Sequence, residues 1–250
     1  MTAGRTATDP GPADRGSVDA DAADAALRRG TAVVLPNPAP LTYVVAGTDP
    51  EAVNEAKDRP AGQAVALWAH HPDTLAALGA ALDLGAGLAA AAHRLLTEER
   101  VTLLAPLRPG ARPPGWLSPA TRDGWTMLFG ARWAPLLPLL AGHPVLYVSS
   151  ANRTGRPPAA TAADAVAMFP PAVPVLGAAS LTDPGDGSGP ASGHGSGQPP
   201  RAATTTLRLH PDGRVDLHRH GAQDRHHPTP ADYLDHVRVR YPGLRPSGCP

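Results

Sequence analysis

Val145-Leu146-Tyr147-Val148-Ser149 followed by Ser150-Ala151-Asn152-Arg153-Thr154-Gly155 is an apolar run that ends in a cluster of short polar side chains. Residues 145–149 read as a buried β-strand, because β-branched and aromatic side chains fill a pleated surface. Ser and Asn then bond their own backbone in turns, and ligands of open α/β sheets collect beyond the carboxyl ends of strands. The same residues also suit an Asx turn that merely terminates the strand. Neither serine has a histidine and an acid at a recognisable relation to it, so nothing marks a nucleophile.

Outward from this stretch, helical and strand patterns alternate along the chain. Residues 19–29 read as an alanine-rich helix stopped by Gly30, and 31–35 and 41–46 as strands. Asp49-Pro50 starts a helix that runs to about Lys57. Then come a strand at 63–68, helices at 72–82 and 85–96, strands at 101–106 and 125–129, and a helix at 135–141. Thr161 and Asp164 form a capping box before a further helix, with a strand at 173–176. Residues 204–209 and 214–219 flank Pro211-Asp212-Gly213 as a hairpin. A last amphipathic helix begins at Thr229-Pro230, with Leu234, Val237 and Tyr241 on one face. Alternation with buried strands predicts an α/β fold: a twisted mixed sheet, flanking helices and an open cleft.

The 250 residues and 42% apolar content support one main domain, while 31 prolines and 26 glycines imply long punctuated connections around it. Residues 1–16 are expected as a disordered leader, 17–222 as the domain, and 223–250 as a tail carrying the short helix. Residues 182–200 are rich in Gly, Ser and Pro, but no helix follows to aim its dipole at a phosphate, so they read as a flexible loop. A net charge of zero supplies no field to gather nucleic acid or anionic membrane. The single cysteine, Cys249, excludes an internal disulfide, and no early apolar run resembles a signal peptide or membrane span, so a cytoplasmic location is expected.

All but one of the 22 basic side chains are arginine. The exception, Lys57, is a candidate for chemistry, since a compact ammonium sits where a planar fork does not fit. In Lys57-Asp58-Arg59-Pro60 the proline extends the backbone before it, so that Lys57 and Arg59 converge on one polyanion. The plainer reading is two cations at a helix C-terminus. The hairpin adds Thr204 at one end and Arg219 at the other. His218, His220, His226 and His227 follow no zinc-ligand spacing, and no protein-bound metal is expected.

Taken in order, these segments resemble the YrdC-like family, which includes the threonylcarbamoyl-AMP synthases that serve tRNA modification. The likeness spans about residues 18–222. It rests on the opening helix, glycine and strand, on Lys57 to Pro60 for Lys-x-Arg-Pro, on Val101-Thr102 for Leu-Thr, and on Ser150 to Gly155 for Ser-Ala-Asn-x-Ser-Gly. Thr204-Thr205 and Arg219-His220-Gly221-Ala222 match the closing Ser-Thr and Arg-x-Gly-Ala. The resemblance implies ATP as substrate with Mg2+, bicarbonate and threonine as co-substrates, and no tightly bound prosthetic group. It assigns Lys57 and Arg59 to catalysis and the phosphates, and Thr102, Ser150, Asn152 and Arg219 to the nucleotide. Asn37, Arg132 and Thr204 fall on the substrate side.

The chain departs from the family where the amino acid binds. Pro36-Asn37-Pro38-Ala39-Pro40-Leu41-Thr42-Tyr43 replaces Pro-Thr-Asp-Thr-x-Tyr-Gly-Leu, which removes the expected hydroxyls. Two alternatives therefore stay open beside the synthase: carbamoyl-transfer chemistry on another amine, and a non-catalytic module, including one that contacts double-stranded RNA. Zero net charge gives the RNA contact little electrostatic support.

Overall fold

The computed structural model describes residues 16–181 and 200–245. The expected leader up to residue 15, the loop from 182 to 199 and Cys249 lie outside the described residues. Helix α1 (Ala20–Arg28) is N-capped by the Asp19 carboxylate, which accepts from Ala22 N at 2.9 Å. Antiparallel strands β1 (Val33–Leu35) and β2 (Val44–Gly47) precede α2 (Pro50–Ala56), whose cap is Asp49. Next are β3 (Ala66–Trp68), α3 (Pro72–Ala81) and α4 (Ala86–Arg94), the last running into a π-helical turn at Leu95–Glu99. Strands β4 (Thr102–Pro106), β5 (Thr121–Arg122) and β6 (Trp125–Phe129) follow, then α5 (Leu137–Ala141), β7 (Tyr147–Ser150) and α6 (Ala162–Met168). The hairpin β8 (Thr206–Leu209) and β9 (Val215–Arg219) leads to α7 (Pro230–Arg240). Thr161–Asp164 and Thr229–Asp232 both form complete capping boxes.

Among the described residues all nine strands share one sheet in the order β1-β2-β7-β3-β6-β4-β8-β9, with β5 added to β6. β3–β6 and β4–β8 are parallel and the other pairs antiparallel, so the sheet is mixed as expected. Residues 173–176 form no strand. Val175 and Leu176 make single bridges to Val34 and Val18, and Pro174 has no N–H with which to extend the ladder. β2 starts only at Val44, because Thr42 N and Tyr43 N turn away to donate to Ala202 O and Ala159 O.

Strand alternation divides the interior in two. Val45, Leu67, Leu103, Leu128 and Leu207 point to a larger core covered by α2, α3, α4, α6 and α7. Val44, Ala66, Phe129 and Val148 point to the opposite face, which α1 and α5 cover with Ala23, Leu27, Leu139 and Leu140. These two helices leave part of that face open.

The last helix packs into the larger core rather than hanging from it. Tyr233, Val237 and Tyr241 are fully buried. Tyr233, four residues before Val237, joins the expected Leu234, which is partly buried against the same core. The Tyr233 and Tyr241 hydroxyls donate to Glu99 Oε1 and Oε2 at 3.2 and 3.0 Å. Burial, then the Glu99 carboxylate, pushes the Tyr241 phenol up to about 12. Glu99→Ala should leave two phenols without their acceptor and lower stability by about 2 kcal/mol, read as an earlier urea midpoint with an unchanged slope.

Candidate functional site

The uncovered part of the sheet forms a cleft of about 250 Å³. Its floor is apolar, with Val44 from β2, Val148 from β7, Ala66 from β3 and Met127 and Phe129 from β6. Polar groups stand around it in three places: Arg59, Ser149 and Ser150 on one side, Thr102, Thr204 and Arg219 on another, and Asn37 and Thr42 at the entrance. An apolar floor with few convergent polar groups is the usual form of a small-molecule site, and this volume lies just under the customary range. A ligand as large as a nucleotide must extend beyond it.

Arg59 reaches the cleft because α2 ends at Ala56 and Asp58 takes a left-handed φ of 57°, which turns the chain back under the sheet. Its Nη1 donates to Ser149 Oγ at 3.2 Å, and burial lowers its pKa. Asp58 itself turns outward and pairs with Arg153 at 2.9 Å.

Lys57 is placed differently from Arg59. It is fully buried and does not line the cleft. Its ammonium donates to Ser150 O and, at 2.8 Å, to Asn152 Oδ1. Asn152 Oδ1 also accepts from Ser150 Oγ at 2.6 Å, while its Nδ2 donates to Arg156 O at 2.8 Å. Lys57 and Asn152 thus form a layer behind the wall, fixing the turn that presents Ser149 and Ser150. Among the described residues no carboxylate pairs with Lys57, and desolvation, then the Arg59 charge, lowers its pKa to about 7.

On the opposite side Thr102 and Thr204 share a buried hydroxyl hydrogen bond of 2.6 Å. Arg219 arrives through an irregularity of register. Leu207 pairs with Leu217, but Thr206 pairs with Arg219, so β9 holds one extra residue at His218. Such a bulge reverses the alternation, and Arg219 joins Thr206 and Thr102 on the cleft face rather than Leu217 on the core face. Gly221 then lets the chain cross directly over the Thr204–Thr205 peptide.

Asn37 is buried at the cleft entrance, its Nδ2 donating to Thr42 O at 2.8 Å. Arg201 Nη1 holds the same segment through Asn37 O at 3.1 Å and Leu41 O at 2.7 Å. Arg132 is not brought to the cleft. Its Nη2 donates to Ala69 O and His70 O at 3.1 and 3.3 Å, so the chain after β6 tethers it to the end of β3. Ser149, Thr42 and Gln63 line the cleft without having been singled out as site residues. Only Ser149 had a signal, its place beside Ser150 at the strand end. Of the four C-terminal histidines, His220 bonds Asp224 at 2.6 Å, while the His227 ring lies tilted against those of Tyr233 and His236.

No family model and no curated protein matches the chain. Solved structures do. Sua5 of P. abyssi, crystallised with L-threonine, superposes with a TM-score of 0.60 at 16% identity over 91% of this chain and 58% of that one. Full-length HypF in its phosphate- and nucleotide-bound form gives 0.57 at 14% identity, over 83% of this chain and 30% of HypF. E. coli YciO gives 0.55 at 15% identity, over 81% of this chain and 89% of YciO. The chain therefore spans little more than half of Sua5 and less than a third of HypF, and what it shares with all three, at identities that carry the fold alone, is the YrdC-like fold.

Proposed function

We propose that the cleft binds ATP and that the protein joins a carbamate to its α-phosphate, as a threonylcarbamoyl-AMP synthase does for tRNA modification. The observation that carries this reading is the convergence of Arg59, Ser149, Ser150, Thr102, Thr204 and Arg219 on one cleft from five separate segments. The nucleotide-bound HypF and the threonine-bound Sua5, which share the fold, support it.

In this reading Arg59 and the Ser149–Ser150 wall hold the phosphates, and Arg219 closes over the nucleotide. Bicarbonate and the amine lose water to give a carbamate. Its oxygen attacks the α-phosphorus, the bond to the bridging oxygen breaks, and pyrophosphate leaves. The protein supplies position and positive charge for the oxygens that gain charge. Mg2+ would enter with the triphosphate and share with Arg59 the neutralisation of its oxygens.

A second reading, transfer to an amine other than threonine, is favoured by the entrance, where backbone carbonyls of residues 37 and 41 are taken by Arg201 and the Asn37 amide by Thr42 O. Among the described residues no helix is long and apolar enough to cross a membrane. The test is pyrophosphate release from ATP, Mg2+ and bicarbonate, with and without threonine. Threonine-dependent release that falls about a hundredfold in Arg59→Ala is expected of the synthase. Release supported only by other amines would transfer the assignment to the second reading, and failure of ATP to bind would remove both.

A further inference from the structure

The cleft holds only part of a nucleotide, and the same sheet face continues past it. Along β6, Phe129 and Met127 line the cleft, and the next residue with that orientation is Trp125. Trp125 is half-buried and pairs across the sheet with Pro106 and with Arg122 of β5. Arg208 lies over its ring, 4.8 Å from the centroid, and His210 meets the ring at 5.3 Å with the planes nearly perpendicular. Arg208 belongs to the same rung as Met127, through Leu104.

The cationic line is also continuous. Arg219 at the cleft, His218 in the bulge and Arg208 follow one another closely enough that both guanidinium charges depress the imidazole, after burial. Asp216, opposite Arg208 in the register, offsets part of this charge and bonds His210 at 2.7 Å. An aromatic ring stacked with a guanidinium beside a cleft walled by cations matches the chemistry that takes a base at one end and phosphates at the other.

We infer that Trp125, braced by Arg208, is the stacking platform for the base of the nucleotide whose phosphates lie at Arg59 and Ser149–Ser150. This rests on the nucleotide reading above and adds where the base goes. It predicts that the base contributes to affinity through Trp125 and that the phosphates do not depend on it.

The experiment compares binding of ATP and inorganic tripolyphosphate, both with Mg2+, by calorimetry, for wild type, Trp125→Leu and Trp125→Phe. Trp125→Leu keeps apolar bulk without a large π face and should weaken ATP about tenfold while leaving tripolyphosphate within about twofold. Trp125→Phe should recover most of the loss, and thermal melting of each variant checks that β6 is intact. If ATP and tripolyphosphate bind wild type equally, or if Trp125→Leu holds ATP as wild type does, the platform is wrong and the phosphate site stands. Equal losses for both ligands would mean that Trp125 only supports the sheet. If neither ligand binds, the nucleotide reading falls and the platform falls with it.

Discussion

Lys57→Met should weaken nucleotide binding by at least about tenfold although the ammonium lies behind the cleft wall and not in it. The wild-type amine donates to Ser150 O and Asn152 Oδ1, and this fixes the turn that aims Ser149 and Ser150 at the ligand. Methionine fills the volume but removes the ammonium donor, so Ser150 O keeps only Asn152 N, Asn152 Oδ1 keeps only Ser150 Oγ, and the turn loses its tie to the end of α2. The pH dependence identifies the buried amine. Its folded pKa is about 7, below the 10.5 of an exposed lysine. Below pH 7 both states hold the proton, and the penalty of burying the charge is fully present. Between 7 and 10.5 the unfolded chain binds more protons than the folded one, so stability rises with pH. Urea unfolding should therefore show the wild type gaining on Lys57→Met by as much as about 4 kcal/mol across that interval. A difference that stays flat with pH would contradict a buried, unpaired ammonium.

Gly221→Ala should be the most damaging small substitution in the hairpin. A Cβ at this position would collide with Thr205 N and Thr204 C and stand 2.6 Å from Ala203 O. All three are backbone atoms, held by Ala222 N donating to Ala203 O at 2.8 Å and Thr205 N donating to Gln223 Oε1 at 2.7 Å. No side-chain rotation relieves such a contact, so the strand end must move, at a cost of about 3 kcal/mol or more. The same movement displaces Thr204 and Arg219 from the cleft. Chemical denaturation and ATP titration should thus report one defect, a lower unfolding midpoint together with weakened binding. An alanine variant with wild-type stability would show that the crossing of the two segments is looser than described.

Most of the fold could be read from local pattern. Trp125–Phe129 was legible to the residue, because a period of two with aromatic and β-branched residues has no competing helical reading. The Thr161–Asp164 capping box was equally plain, since a threonine three residues before an aspartate satisfies two backbone donors by itself. Residues 173–176 misled because apolar composition does not reveal that a proline will end a ladder after single bridges. Leu234 packs against the core as read, but Tyr233 was missed beside it, because only a partner such as Glu99 shows that a phenol faces inward.

The site divides along the same line. Arg59, Ser150, Thr102, Thr204, Arg219 and Asn37 are found around one cleft, and the order of their motifs was enough to suggest them together. Lys57 and Asn152 came with them in sequence but stand behind the wall, and Arg132 is tethered to the end of β3. What the sequence determined by itself is the kind of element at each position and the chemistry available at its ends, because capping, turns and alternation act between residues a few apart. The tertiary structure alone decided which face each polar group meets. One extra residue at His218 turns Arg219 to the cleft, and the packing of β7 against α2 encloses Lys57 away from water, since register and burial are set by partners far along the chain.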